Sequence, residues 1–518
     1  MRIRQSKTDS MSNKQIGINM VAQIISFSSN LLISFVLTPF LINNLGKETY
    51  SFYPIVNTFI MYMSIVTGAL NTMASRFVTI SIVKGEMAEA DKYFSSVTVS
   101  NLILSAVLFI PMVFIVVYLD RFLNIPVNAV AAIRSLFALA FSSMLVNVMS
   151  SMFGIATFAK NRIDLRSIRE LIVSCVRLGL FVLLYSVFPA SIVFVGLVAL
   201  IVALLNLAFQ LFYTKQLLPE IRIRRSCVSL PYVREIFRAS VWNMIFTLGN
   251  LLLVQMTIVL SNVFYGANTS GLLSIVQTVP QFISSVISML VGVFYPVLTY
   301  KVANHDVDGI QSEVLRTEKI IGSFSFAVIV VFSALAEEFF SLWTPNEHAA
   351  LLSKLSFVTI LPHILIGCLW SLTNLNIAMN KVKIPALYTL GAGFLNIALS
   401  FLAAKIFRRS YVCLPIICTA LQIVWIGVLI PRYSCSQIGI KTQVLYRPFI
   451  RLLAVGVVLF VGIFWLKGCF QLSNWFCFVL FAAPCGAVSL LVFAVTALGP
   501  SECKSIWKTI LHKIHPAK

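Results

Sequence analysis

The stretch VAQIISFSSNLLISFVLTPFLINNLGKETYSFYPIVNTFIMYMSIVTGALNTMASRFVT, residues 21–79, has a second copy in the same chain. Shifted by 220 positions it falls without a gap on VWNMIFTLGNLLLVQMTIVLSNVFYGANTSGLLSIVQTVPQFISSVISMLVGVFYPVLT, residues 241–299, with 14 identities in 59 positions. Apolar composition raises the chance level of such matches, so the weight rests on the polar and glycine positions. Asn30 falls on Asn250, Gly46 on Gly266, Thr49 on Thr269, Thr58 on Thr278 and Ser64 on Ser284. In each copy two long apolar segments flank a short polar turn that holds the glycine. Internal repeats of this kind are common in membrane transporters, where the cargo site lies at the repeat interface.

Hydrophobic residues make up 59% of the chain and charged residues 11%, and the mean hydropathy is +0.93. No soluble domain hides that much apolar surface. Apolar runs of about 18 or more residues recur throughout, each long enough to cross roughly 30 Å of hydrocarbon. Continuous runs, as opposed to period-two alternation, select helices over a closed barrel. The formal charge of +21 invites a nucleic-acid partner, but the basic residues are sorted by loop, which is the pattern of membrane topology; no nucleic acid is expected. Ten scattered cysteines show no CxxC or metal-ligand spacing and read as apolar packing residues, so neither metal nor cofactor is expected.

Fourteen spans are expected, at 16–42, 52–75, 97–119, 129–157, 169–188, 190–213, 239–263, 270–298, 319–336, 355–380, 385–404, 411–430, 449–467 and 474–497. The fifth and sixth are divided at Phe188-Pro189-Ala190, because proline breaks the helix and the joint run is too long for one crossing. With the N-terminus inside, the inner segments carry 30 of the 39 Lys and Arg and the outer loops carry 7; Arg134 and Arg177 lie within spans. That asymmetry puts both termini in the cytoplasm. The two copies of the repeat then share one orientation, which implies a pseudo-twofold axis along the membrane normal. The expected architecture is an all-α polytopic membrane protein with two six-helix repeat lobes and two extra C-terminal helices. Its parts are a cytoplasmic N-terminus (1–15), an N-lobe (16–213), a basic cytoplasmic linker (214–238) and a C-lobe (239–430). A cytoplasmic loop (431–448), helices thirteen and fourteen (449–497) and a basic tail (498–518) complete the chain. No connection is large enough for a soluble domain with its own core.

All eighteen acidic residues fall in loops or at span ends on this reading. A mid-membrane carboxylate is the usual proton or sodium site of a coupled transporter, and a membrane hydrolase would need paired acids. Their absence argues against a drug/proton antiporter and against an enzyme. A polymerase or ligase would also need a large outer loop bearing arginine and histidine, and none is present.

Arginines within or at the ends of spans are the candidate cargo residues. Arg177 lies a third of the way into the fifth span, in SCVRLGLF, Arg134 a similar distance into the fourth, in AAIRSLF, and Arg76 ends the second, in NTMASRFVTI. The plain alternative is snorkelling to the headgroups. The sharper reading is a cationic cavity: an intramembrane cation needs a partner, no intramembrane acid is in sight, and a guanidinium forks onto phosphate oxygens without losing its charge. Asn19, Gln23 and Asn30 share one face of the first span, and Asn243 and Asn250 one face of the seventh, which also carries Gln255. Gln277 and Gln281, then Asn374 and Asn376, extend the set. Each amide alone could be an interhelical hydrogen bond; together they suit the lining of a cavity for sugar hydroxyls. His363, in ILPHILIG, reads as a structural hydrogen-bonding residue more readily than as a proton relay.

The opening NKQIGINMVAQIISFSSNLLISFVLTPFLINNLGKETYSFYPIV and the later ASRFVTISIVKGEMAEADKYFSS resemble the polysaccharide flippases. These are the O-antigen and capsule repeat-unit exporters, often called Wzx, of the multidrug/oligosaccharidyl-lipid/polysaccharide exporter superfamily. The six-plus-six-plus-two plan fits over the whole chain. The resemblance implies a V-shaped pair of lobes with a central cationic cavity, in a bacterial cytoplasmic (inner) membrane. It implies export of an undecaprenyl-diphosphate-linked oligosaccharide to the outer leaflet, with a polysaccharide polymerase as a potential partner. Arg76 matches the arginine at the second-span end in that family. The lipid II flippases and the cation-coupled multidrug exporters of the same superfamily are the alternatives.

Overall fold

Gly46 and Gly266, the glycines that the repeat superposes, both take the left-handed backbone, with φ of 76° and 86°. Around each, the same hydrogen bonds recur 220 residues apart. Gly46 N–H donates to Ile42 O at 2.8 Å and Tyr50 N–H to Gly46 O at 3.0 Å; Gly266 N–H donates to Asn262 O at 2.9 Å and Ser270 N–H to Gly266 O at 3.2 Å. In this computed structural model, residues 22–514 are described apart from 23, 24, 31, 161, 220–227, 380, 408 and 409. Among them there is no strand.

The long helices are α1 (Ile25–Leu45), α2 (Phe52–Lys84), α3 (Met87–Val117), α4 (Val130–Ser150), α5 (Ile163–Val187) and α6 (Val193–Leu217). They continue with α7 (Leu230–Val254), α8 (Met256–Tyr265), α9 (Ala267–Ala303), α10 (Val307–Trp343) and α11 (Ala349–Ala378). The last are α12 (Lys383–Ile406), α13 (Cys413–Val424), α14 (Ile430–Ile438), α15 (Gln443–Lys467) and α16 (Trp475–Ile514). Thirteen helical segments among the described residues are long and apolar enough to cross a membrane. The remaining expected span, 52–75, lies inside the 33-residue α2. The expected break at Pro189 is present: α5 ends at Val187 with an extended Phe188, and α6 begins at Val193.

Two expected spans are interrupted. The seventh is two helices, α7 and α8, broken at Gln255, and the twelfth passes from α13 through a π-turn, Trp425–Leu429, into α14. The ninth extends beyond its apolar core: α10 begins at Val307, where the Asp306 carboxylate accepts from Gly309 N–H at 2.9 Å and caps the helix. Glu313 and Glu318, which the sequence reading leaves in the preceding loop, are therefore helical and buried.

The chain forms two compact units, Met1–Leu251 with Asn262–Gly271, and Leu252–Ser261 with Leu272–Lys518. In the first, Leu41, Phe52, Ile55, Ile133, Leu136 and Phe137 are fully buried. The two repeat turns meet there, since a Cβ on Gly271 would fall 2.4 Å from Lys47 O. Asn124 ties the loop after α3 to the end of α8, with its N–H donating to Asn262 Oδ1 at 2.9 Å and its Nδ2 to Asn262 O at 2.8 Å. In the second unit, α10 and α11 are the inner helices, 61% buried over their apolar windows, against 17% for α15 and α16. Val458, Val461, Trp465, Phe476, Leu480 and Leu491 stand exposed on those outer helices, as lipid-facing residues do.

Candidate functional site: an uncharged cavity in the first unit

Asn57, Ser64 and Asn71 recur every seven residues on α2, and Ser143, Asn147 and Ser151 every four at the end of α4. Each set falls on one helical face. The two faces meet across a cavity of about 450 Å³, whose third wall is Val195 and Ala199 of α6. One end of the cavity is closed by a hydrogen-bonded knot. Asn71 Nδ2 donates to Ser151 Oγ at 2.7 Å, and Asn101 Nδ2, from α3, donates to Asn71 Oδ1 at 2.8 Å and to Ser151 Oγ at 3.3 Å. Asn101 is 1% exposed, so these bonds replace the water it has lost. Asn57 and Asn147 line the same cavity, and their side-chain amides make no hydrogen bond to another described residue. No charged residue lines it. Amides and hydroxyls supply donors and acceptors together, the equipment for binding sugar hydroxyls.

The structure places the sequence candidates as follows. Asn30 lies on the α1–α5 seam, where its Oδ1 accepts from Ser174 Oγ at 2.5 Å; one turn earlier Ser26 Oγ donates to Glu170 at 3.2 Å. Asn30 is thus an interhelical hydrogen-bonding residue. Arg177 follows Glu170 and Ser174 on α5 at helical spacing, and its Nε is buried without a hydrogen-bond partner among the described residues. Arg134 has an acidic partner that the sequence reading does not foresee: its Nη2 lies 2.6 Å from Asp120 Oδ1, in the helical turn Leu119–Phe122. That bond holds the Asp120 carboxyl below its ordinary range. The Arg76 side chain lies outside those described, as do Asn19 and Gln23.

Asn250 stands half-buried on α7 in the first unit, and Gln255, Gln277 and Asn374 are half-buried in the second. No hydrogen bond joins them among the described residues. Gln255 marks the break between α7 and α8. Carbonyls set free there are taken by side chains. Tyr62 Oη donates to Leu251 O at 3.2 Å, and Asn396 Nδ2 donates to Leu252 O at 3.2 Å and to Leu253 O at 3.1 Å. Cys418 Sγ also donates to Leu253 O at 3.1 Å. His363 Nε2 pairs with Ser284 Oγ at 2.8 Å, the structural bond expected of it. Asn57, Asn71, Asn101 and Asn147 were missed, although the seven- and four-residue spacings of the cavity faces were available.

Comparison with known proteins agrees with this architecture. The sequence profile of the family described as polysaccharide biosynthesis protein matches residues 13–300. The chain is 25% identical over 391 residues, 74% of its own length and 76% of the relative's, to the Bacillus subtilis (strain 168) protein named "Uncharacterized membrane protein EpsK". Among solved structures it is similar to the lipid II flippase MurJ in an inward closed conformation, with TM-score 0.63 and 13% identity, covering 92% of this chain and 98% of that one. It is also similar to a multidrug resistance MATE family transporter of the MOP superfamily in its outward-facing conformation, with TM-score 0.62 and 13% identity, covering 82% and 96%. At such identity the likeness carries the fold alone. The class so defined is the multi-pass helical membrane protein with the fold shared by these transporters. Within it, the chain belongs to the polysaccharide biosynthesis protein family.

Proposed function

We propose that this protein moves an undecaprenyl-diphosphate-linked oligosaccharide repeat unit from the cytoplasmic to the outer leaflet of a bacterial cytoplasmic membrane, for O-antigen, capsule or a related glycan. The observation that carries the reading is the uncharged cavity of the first unit, a largely apolar pocket into which Asn57, Ser64, Asn71, Ser143, Asn147 and Ser151 set amides and hydroxyls, in a chain of the polysaccharide biosynthesis family. Sugar hydroxyls hydrogen-bond to Asn57, Ser64, Asn147 and their neighbours. Arg76 and Arg177 hold the diphosphate, a role that suits a guanidinium whose Nε has no protein partner. Asn250, Gln255, Gln277 and Asn374 add amide contacts. Arg134 Nε is likewise buried without a hydrogen-bond partner among the described residues, but its Nη2 is held by Asp120, which offsets its charge and makes it less suited to the anion.

In this scheme two six-helix repeats are related by a pseudo-twofold along the membrane normal, both termini are cytoplasmic, and a polysaccharide polymerase receives the exported unit. Transport exchanges populations between two packings through differential cargo contacts, with no bond broken.

The test is translocation in proteoliposomes. A fluorescent undecaprenyl-diphosphate oligosaccharide is placed on one leaflet, and its exposure to an impermeant glycosidase is followed. Protein-dependent exposure that falls in Arg177→Ala and in Asn57→Ala supports both function and site. Exposure untouched by these changes keeps the function and removes the site. Transport of lipid II alone, or pumping of a cationic dye against a proton gradient with no glycan exposed, would transfer the chain to another branch of the superfamily.

A further inference from the structure

Glu313 and Glu318 both stand in the first third of α10, 4% and 0% exposed. Glu313 has a counterion, because Lys301 Nζ lies 3.1 Å from its Oε2 and also donates to Gly309 O. Among the described residues Glu318 has none. Both of its carboxylate oxygens are buried, and neither has a hydrogen-bond partner among those residues.

The helix face that carries Glu318 is tightly covered. A Cβ on Gly322, four residues on, would fall 2.8 Å from Cys368 Sγ of α11 and 3.2 Å from a methyl of Leu452 of α15. The titratable groups within electrostatic reach are Lys319 on α10 itself, Cys368 on α11, Cys435 on α14 and Tyr446 on α15. Arg432 lies beyond Tyr446. From α16 the α10 surface receives Phe493, which packs on Phe326 and accepts from Ser323 Oγ.

A second feature connects this point to an opening. Tyr446 also lines a cavity of about 750 Å³ together with Gly427, Arg432, Lys441, Thr442 and Gln443. Its hydroxyl donates to Gly427 O, a carbonyl of the π-turn, where the α-helical hydrogen-bond ladder is interrupted. Tyr446 therefore lines the basic cavity and lies within electrostatic reach of the buried acid.

A carboxylate with its charge unpaired and its oxygens away from water is among the costliest groups a protein can bury. A proton removes that charge without requiring further ligands. A hard metal cation would demand a shell of oxygens, whereas two of the three neighbouring side chains from other helices offer sulfur. We propose that Glu318 is a proton-binding site of the second unit, loaded from the cavity at Tyr446. Binding forms one O–H bond on the carboxylate with a proton taken from water. Its loss leaves a charge in the seam between α10, α11, α14 and α15, so that seam must admit water or release the side chain toward the cavity. Protonation thereby biases the packing of α10. The site does not depend on which cargo the protein carries.

The test is infrared difference spectroscopy of the full chain in liposomes across a series of pH steps. The expected result is a protonated-carboxyl carbonyl band that follows pH, shifts in heavy water, vanishes in Glu318→Gln and moves in Glu318→Asp, while Glu313→Gln leaves it in place. Tyr446→Phe changes the rate at which the band follows a pH jump. Spectra of Glu318→Gln and Glu318→Asp identical to the wild type would overturn the proposal. So would a Glu318 signal that answers to sodium at constant pH. If the glutamine variant does not fold, the displaced band of the aspartate variant decides the matter alone.

Discussion

Asn101 shows how much a single amide can carry in this protein. It is buried among helices, with Asn71 and Ser151 as partners, and Asn101→Ala leaves both short of a donor. The expected cost is about 1–3 kcal/mol, read as a lower unfolding midpoint in detergent. Asn57→Ala removes an amide that faces the cavity and holds nothing else, so stability should stay within about 0.5 kcal/mol of wild type while glycan translocation falls. The arginines separate on the same logic. Arg177→Ala should depress translocation more than Arg134→Ala, because Asp120 offsets the charge of Arg134 through Nη2. The Asp120 carboxyl is held below its ordinary range by the bond from Arg134. Its stabilising contribution is therefore complete above the ordinary aspartate range and fades only as pH falls through the lowered value. Asp120→Asn should abolish that acid-side change and lower the unfolding midpoint at neutral pH by the same small amount, since the pair is exposed to solvent and salt.

At the level of the helices, the turn glycines give the sharpest expectation. Nothing lies within 4 Å of a Cβ built on Gly46 or on Gly266, so Gly→Ala at either position costs only the left-handed backbone, about 1–2 kcal/mol. Similar losses at the two positions, measured by thermal unfolding, are expected from one turn made twice. Gly271→Ala differs in kind, because its methyl meets the Lys47 carbonyl. The break between α7 and α8 rests on side chains that replace the lost ladder. Asn396→Ala should uncover the carbonyls of Leu252 and Leu253, cost about 1–3 kcal/mol and speed hydrogen exchange across residues 252–258. Gln255→Ala should leave that exchange unchanged. These side-chain caps explain how a helix can be interrupted in a chain this apolar, where a bare carbonyl would have no water to turn to.

For the whole molecule, the distribution of charge and apolar surface makes the prediction. The basic residues concentrate in alternate loops, 30 against 7, and the side carrying the 30 is expected to be the inner one. Reporter fusions at either terminus should therefore be active only in the cytoplasm. A cysteine placed in the Asn124 loop should be labelled by an impermeant thiol reagent from outside. Labelling from the inside would reverse the topology and with it the direction of export.

The helical class, the positions of the spans and the glycine turns were legible in the sequence, because each is local. Apolar run length and lysine and arginine placement are properties of contiguous segments, and the repeat is a comparison of the chain with itself. The break at Gln255 was not legible, because no proline or glycine marks it and Asn396, which caps it, lies far along the chain. The pairing of Arg134 with Asp120 was hidden because Asp120 reads as an ordinary loop acid until the turn at Leu119–Phe122 brings it round. Glu318 was discounted for a related reason. Apolar run length ended the ninth span beside it, whereas packing against α11 and α15 buries the helix further than its composition indicates. Segment composition decides which stretches become helices in a membrane. Which polar group is partnered, and which is left alone, depends on what other helices bring to its side, and only the tertiary structure decides that.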